Sequence, residues 1–231
     1  MNKIKLLRSI LSDSKAVIFD FDNVIVDSEP YHYEAYSRVF KAKGHMLNRE
    51  EYWIEWTSKG GGAEGEIERY NLDLDPNEIR RGKDPIYSEF CSSGAIRIFP
   101  DALRIIHSFN SSDYTLSIAS GSYERDIRTI LSANGIESLF KAVIGKDNIK
   151  TTKPHPETYL KAIEEIEFEP NECFAIEDAE KGIISAREAG IKVIAVETDL
   201  TRGFDLDLAD LKLSGIEELY RLMLEAGLKE G

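Results

Sequence analysis

The chain has 231 residues, 42% hydrophobic and 31% charged, enough apolar material for a sizeable core in one or two domains. Twenty-nine basic residues against 42 acidic ones give a net charge of −13, which repels a polyanion and argues against nucleic acid as a partner. No apolar run nears the roughly 18 residues of a membrane span. Two cysteines, Cys91 and Cys173, cannot build a disulfide framework, and Arg8 and Ser9 break the apolar stretch a signal peptide needs, so a reduced cytoplasmic protein off the membrane is expected.

In chain order, residues 1–11 carry Ile4, Leu7 and Leu11 at helical spacing, the pattern of a short amphipathic helix packed on the core. Ala16-Val17-Ile18-Phe19 is a run of the kind buried on both faces of a parallel sheet. From about residue 30 to 94 the texture becomes helical: Tyr33, Tyr36 and Phe40 before Gly44, then Tyr52, Trp53 and Trp56. Asp75-Pro76-Asn77-Glu78 reads as a helix start with a cap residue, a first-turn proline and a capping-box glutamate, and Ile79, Ile86 and Phe90 share one face of the helix it opens. Beyond residue 95, short apolar runs at 114–119, 142–144, 173–176 and 193–196 alternate with amphipathic stretches. These stretches carry Ile127, Ile130 and Leu131, then Tyr159, Leu160 and Ile163, then Ile183, Ala186 and Ala189. Gly135 and Gly190 stand where left-handed C-caps belong. The alternation predicts an α/β fold, a doubly wound parallel sheet, with a small α-helical domain inserted after the first strand. The expected division is 1–28 and 95–231 for the α/β core and 29–94 for the insert, and a cleft between two such domains suits a small molecule.

Three of these strands deliver chemistry at their carboxyl ends, where doubly wound sheets place their sites. The first runs into Asp20-Phe21-Asp22-Asn23, two carboxylates one residue apart. The second ends in Ser120-Gly121-Ser122 and enters a helix, so its hydroxyls and amides offer an anion site. The run 173–176 ends in Glu177-Asp178, and Lys153-Pro154 joins from a loop.

Asp20-Phe21-Asp22-Asn23-Val24-Ile25-Val26-Asp27-Ser28, Ser120, Lys153-Pro154 and Glu177-Asp178 resemble, in order, the four motifs of the haloacid dehalogenase-like (HAD) hydrolases, whose core is Rossmann-like. The helical insert is similar to the C1 cap of the β-phosphoglucomutase and phosphoglycolate phosphatase branch. So are Ser28-Glu29-Pro30-Tyr31-His32, the stretch from Lys153-Pro154 through Tyr159, and Gly182 and Ala189-Gly190 after Glu177-Asp178. The resemblance implies a Mg²⁺-dependent phosphatase acting on a small phosphorylated metabolite, with a phosphomutase of the β-phosphoglucomutase kind as the alternative and a non-catalytic phosphate-binding protein as a further one. It implies Asp20 as nucleophile forming an aspartyl phosphate and Asp22 as general acid and base. It also implies Mg²⁺ held by Asp20, the Asp22 carbonyl and Asp178, with Glu177 ligating through water or lying behind, and phosphate held by Ser120, Gly121 and Lys153. Neighbouring like charge is expected to help Asp22 carry its proton. Dehalogenation is disfavoured, because those relatives lack the second aspartate that Asp22 supplies. Phosphonate hydrolysis would need a Schiff-base lysine in the cap, for which Lys59 and Lys83 are formal candidates. Monomer and small homo-oligomer both fit.

The chain departs from the family pattern at two points. Asn23 stands where glycine is usual, and asparagine is the non-glycine residue that best tolerates a left-handed turn. In the insert, Lys59-Gly60-Gly61-Gly62 has no arginine directly after it, where the branch often shows glycine followed by a basic residue, and either links helices or brings backbone to the substrate. Asn23, His32, Lys59, Gly60 and Ser122 are therefore candidate substrate contacts. Asp27 is expected to cap the helix entering the insert. Arg81 and Lys83 read as a solvated helix face, Trp53 and Trp56 as the insert's core, and His45, His107 and His155 have no zinc spacing.

Overall fold

In the computed structural model, which describes residues 2–58, 61–202 and 204–230, six parallel strands form one sheet. They are β1 (Ala16–Phe19), β2 (Thr115–Ala119), β3 (Phe140–Ile144), β4 (Cys173–Glu177), β5 (Lys192–Val196) and β6 (Leu211–Leu213), in the order β3-β2-β1-β4-β5-β6. Every residue of β1 is buried, and its alternation divides the core. Val17 and Phe19 face a layer holding Leu7, Ile105, Ile127 and Leu219, whereas Ala16 and Ile18 face one holding Tyr159, Ala162 and Ile183. The first layer is supplied by α1 (Lys3–Asp13), α6 (Pro100–Ser111), α7 (Glu124–Ala133) and α10 (Ile216–Ala226), and the second by α8 (Glu157–Ile166) and α9 (Glu180–Glu188). This is the doubly wound α/β arrangement expected from the alternation of short apolar runs with amphipathic stretches.

Between β1 and β2 the chain makes α2 (Glu29–Ala42), α3 (Arg49–Tyr52), a wider π-helical turn over Trp53–Ser58, α4 (Gly62–Arg69) and α5 (Pro76–Ser92). These helices share an apolar cluster of their own, including Val39, Phe40, Tyr52, Trp56 and Ile79. Trp56 fills this cluster as expected, with Tyr36, Phe40 and Tyr52 rings around it.

Several local expectations need correction. Asp27 is exposed and caps nothing; α2 begins after Ser28, whose hydroxyl goes instead to Asp22. Asp75 does cap α5 through the Asn77 amide at 2.9 Å, but Glu78 does not close a capping box, because its carboxylate reaches Lys43 at 2.5 Å. Leu160 is 45% exposed rather than core. The strand β6 gave no recognisable signal, since Leu-Lys-Leu is three residues long and comes after a turn-rich stretch. Gly44, Gly135 and Gly190 adopt positive φ at helix ends, and Asn23 sits at φ 62°, the left-handed turn its identity permits.

Candidate active site

The sheet's order reverses at β1, which lies between β2 and β4, so the crevice of a doubly wound sheet opens beyond its carboxyl end. Asp20 comes directly after β1, its amide donating to the Ile176 carbonyl of β4 at 2.9 Å. That bond keeps the first motif in register with Glu177 and Asp178 at the end of β4. Carboxylate oxygens of Asp20, Glu177 and Asp178 lie within 4.8 Å of one another, and all three residues are buried.

Lys153 enters from the loop before α8 and joins the group. Its ammonium donates to Asp20 Oδ1 at 2.6 Å, to Glu177 Oε1 at 2.5 Å and to the Ala119 carbonyl at 2.9 Å. Glu177 is fixed further by the Tyr159 hydroxyl at 2.8 Å and by the Asp178 amide. Gly182 on α9 leaves the space its carboxylate fills, since a Cβ there would stand 1.8 Å from Glu177 Oε1. Four residues from two strand ends and one loop thus meet at one point.

The electrostatics arise from the crowding. Burial pushes the Asp20 carboxyl up to about 8, Lys153 opposing and Glu177 and Asp22 reinforcing the rise. Burial, with Asp20 and Glu177 beside it, holds Asp178 well above the usual carboxylate range. Burial alone would discharge Lys153, but Asp20 and Glu177 outweigh it and keep the ammonium charged. One lysine does not balance three carboxylates, and a site of hard oxygen donors with surplus negative charge fits a divalent cation.

Asp22 occupies a different environment, although only one residue separates it from Asp20. Ser28 and Ser122 hydroxyls donate to its two oxygens at 2.7 Å, with Ser120, Tyr87 and His32 at 3.3 Å. Burial raises its pKa, but the bonds from His32, Ser122 and Ser28 outweigh that and hold the carboxyl well below the ordinary range. This corrects the expectation that like charge would keep it protonated. Ser120 is fully buried, and its hydroxyl also accepts from the Ser122 amide at 3.0 Å. The Glu124 amide is likewise taken by Asp147 at 2.9 Å, so the amides entering α7 are less free for an anion than their position suggested.

A cleft of about 400 Å³ connects this point to the helical insert. Asp20, Asp22, Asn23, His32, Gly121, Ser122, Lys153, Glu177 and Asp178 line it, so most of the sequence-derived candidates share one cavity. Lys59 and Gly60 lie outside the described residues. The insert contributes Glu29, Tyr36, Trp56, Lys83 and Tyr87, and the loop after β3 contributes Lys146. Lys83 departs most from its expected solvated helix face. It is 7% exposed, whereas Arg81 is on the surface and pairs with Asp75 at 3.6 Å. The buried stripe of α5 is Ile79, Lys83, Tyr87 and Cys91, four positions at i, i+4 spacing. A lysine in an otherwise apolar stripe was the signal that would have singled Lys83 out.

Residues 17–196 match the family model described as haloacid dehalogenase-like hydrolase, and the chain belongs to that family. Protein CbbY of Rhodobacter capsulatus is 28% identical over 209 residues, an overlap of 86% of this chain and 92% of that one. Fructose-1-phosphate phosphatase YqaB of Escherichia coli is 29% identical over 189 residues, 78% of this chain and 95% of that one. The crystal structure of CbbY from Rhodobacter sphaeroides in complex with phosphate superposes with a TM-score of 0.76 at 26% identity, covering 89% of this chain and 96% of that one. Among the described residues no helix is long and apolar enough to cross a membrane.

Proposed function

We propose that the chain is a Mg²⁺-dependent phosphatase that hydrolyses a small phosphorylated metabolite, a sugar phosphate or a related ester, through an aspartyl phosphate on Asp20. The observation that carries the reading is the meeting of Asp20, Glu177, Asp178 and Lys153 within hydrogen-bond or ligand distance at the sheet's switch point. The relatives named above for a phosphatase activity and for a phosphate complex support the same substrate chemistry.

In this reading Asp20, Asp178 and the Asp22 carbonyl would hold Mg²⁺, with Glu177 behind them anchoring Lys153. The bound ion supplies positive charge to the phosphoryl oxygens. Asp20 attacks phosphorus, the bond from phosphorus to the ester oxygen breaks, and Asp22 hands its proton to that oxygen. Water then attacks the phosphorus on Asp20, Asp22 takes a proton from it, and inorganic phosphate leaves with Asp20 regenerated. The Lys153 ammonium counters the charge gathering on the phosphoryl oxygens. Asp22 as a hydrogen-bonded carboxylate is ready for the second half; for the first it must arrive protonated, which a neighbouring ester dianion favours by repulsion. Residues 29–94 act as a cap over the core of 1–28 and 95–231, excluding water from the closed cleft.

Asp20→Asn tests the reading. Hydrolysis of a panel of phosphate esters should fall by at least about 10⁴-fold, and full activity in that variant would remove Asp20 as nucleophile. Chelation should abolish turnover, and added Mg²⁺ should restore it. Activity that persists in excess chelator would remove the metal. Checking product regiochemistry in the same screen separates hydrolysis from transfer within the substrate.

A further inference from the structure

The three carboxylates at the strand ends differ in what already binds them. An ionised carboxylate offers about four lone pairs. Those of Glu177 meet four donors: Oε1 accepts from Lys153 at 2.5 Å and from the Tyr159 hydroxyl at 2.8 Å, and Oε2 from the Asp178 and Ala179 amides at 3.1 and 3.4 Å. Asp20 accepts from Lys153 on Oδ1, and among the described residues no side-chain or backbone donor reaches its Oδ2 or either oxygen of the Asp178 carboxylate. Distance alone does not separate the three, since their oxygens lie within 4.8 Å of one another.

Two of the donors on Glu177 are backbone amides, and the third is Lys153, which Asp20 and the Ala119 carbonyl also engage. The fourth is the hydroxyl of Tyr159, a residue that no motif in the sequence marks as part of the site. Tyr159 stands in the first turn of α8, fully buried, with its ring in the core layer supplied by α8 and α9 and its hydroxyl at the strand ends. The same oxygen accepts from Lys153 at 3.4 Å, and the ammonium lies 4.8 Å from the ring centre. The phenol therefore touches both members of the Lys153–Glu177 pair. A phenylalanine ring would fill the same space, so packing does not account for the hydroxyl, whose burial costs free energy unless it is bonded.

We propose that Tyr159 is a positioning residue that divides the carboxylates between two tasks: its hydroxyl completes the bonding of Glu177, which keeps that carboxylate with Lys153 and leaves Asp20 and Asp178 to the cation. The proposal deepens the phosphatase reading and rests on it. With Glu177 saturated, the open oxygens are those of Asp20 and Asp178, and Lys153 is held beside Asp20, where it meets the phosphoryl group. Without the hydroxyl, an oxygen of Glu177 regains a lone pair within reach of the ion, and Lys153 loses a fixed partner.

Tyr159→Phe tests this, because it removes one hydroxyl and keeps the ring. Three quantities are compared with the wild type: kcat/KM on the phosphate-ester panel, calorimetric affinity for Mg²⁺ alone, and affinity for inorganic phosphate at saturating Mg²⁺. The variant should lose about tenfold in kcat/KM and in phosphate affinity, while Mg²⁺ alone binds at least as tightly as before. Unchanged phosphate affinity would make Tyr159 a space filler, and Mg²⁺ affinity falling along with it would mean that the phenol orders the whole site; either result overturns the proposal. Glu177→Gln supplies a second check. In that background Tyr159→Phe should cost less than about twofold in phosphate affinity, since it acts through the Glu177 carboxylate, and the full loss there refutes it. If the wild type hydrolyses no ester, the phosphatase reading fails separately, and the two titrations still decide the role of Tyr159: phosphate affinity lost with Mg²⁺ affinity kept supports it, and any other pattern sinks it.

Discussion

On the sheet side of the cleft Asp20 is held by Lys153, Glu177 by Lys153 and Tyr159, and Asp22 by hydroxyls from α2's start and from the loop after β2. On the helical side, Lys83 projects from α5 against the rings of Tyr36 and Tyr87, with no hydrogen-bond acceptor among the described residues. The first wall pairs most of its charged groups within the protein and leaves a surplus of carboxylate, whereas the second sets its cation against ring faces. Strand ends in a parallel sheet fix side chains to a common edge through backbone pairing, which suits chemistry that must not vary. A helix face can exchange one cleft residue without disturbing the sheet, which suits selection of the leaving group.

The contrast breaks most readily at Gly182. A methyl group there would occupy the place of the Glu177 carboxylate, a buried group that supports Lys153. Gly182→Ala is expected to destabilise the fold by about 3 kcal/mol, seen in denaturant unfolding, and to lower turnover with it, because the displaced carboxylate leaves Lys153 misplaced and Tyr159 unpartnered. A fully stable and active variant would show that the sheet-side wall tolerates rearrangement after all.

At Lys83 the expected effect has the opposite sign. Burial and Lys146 depress its pKa from the ordinary 10.5 to about 8. The unfolded chain therefore binds more protons than the native one between those values, so the penalty is complete below pH 8 and vanishes as pH rises through about 10.5. Lys83→Met, which keeps the length and apolar stem, should stabilise the protein at pH 7 by on the order of 3 kcal/mol and lose that advantage by pH 10–11. Unfolding curves of the two proteins at both ends of the window check this. A variant less stable at pH 7 would mean that the rings satisfy the ammonium, and the two walls would no longer differ in kind.

The same contrast explains which parts of the molecule are legible in the chain. Asp20, Asp22, Ser120, Lys153, Glu177 and Asp178 stand at the ends of short apolar runs or beside a proline, and local pattern places them at one edge before any long-range contact is known. Five of six strands announce themselves by burial on both faces. The insert's contributions depend on tertiary packing. Lys83 and Arg81 stand two residues apart in one helix, and only the i, i+4 spacing of Lys83 with Ile79, Tyr87 and Cys91 separates the inward one from the outward one. Glu29 and Tyr36 lie in stretches the sequence marks as helical, but nothing local says that they and Lys146 line one cleft, which depends on how the insert packs against the strand ends. The protonation of Asp22 departs from its sequence expectation for a related reason: the neighbouring carboxylates are legible, but the convergence of His32, Ser122 and Ser28 on Asp22, which outweighs its burial, is a tertiary fact.

The smallest expected effect probes that rule inside the helical insert. Asp75 and Glu78 promise a reciprocal capping box, yet Glu78 leaves the backbone for Lys43, just past the end of α2. A half-exposed ion pair contributes little in water, whereas a side chain that satisfies an orphan amide at a helix start contributes about 1 kcal/mol. Asp75→Ala should therefore destabilise by about 1 kcal/mol, and Glu78→Ala by less than about 0.5 kcal/mol, with a Lys43–Glu78 double-mutant cycle accounting for nearly all of the latter and shrinking in high salt. Were Glu78→Ala as damaging as Asp75→Ala, and its coupling to Lys43 absent, the box would be the state in solution. Local sequence would then govern this helix start as strictly as it governs the strand ends.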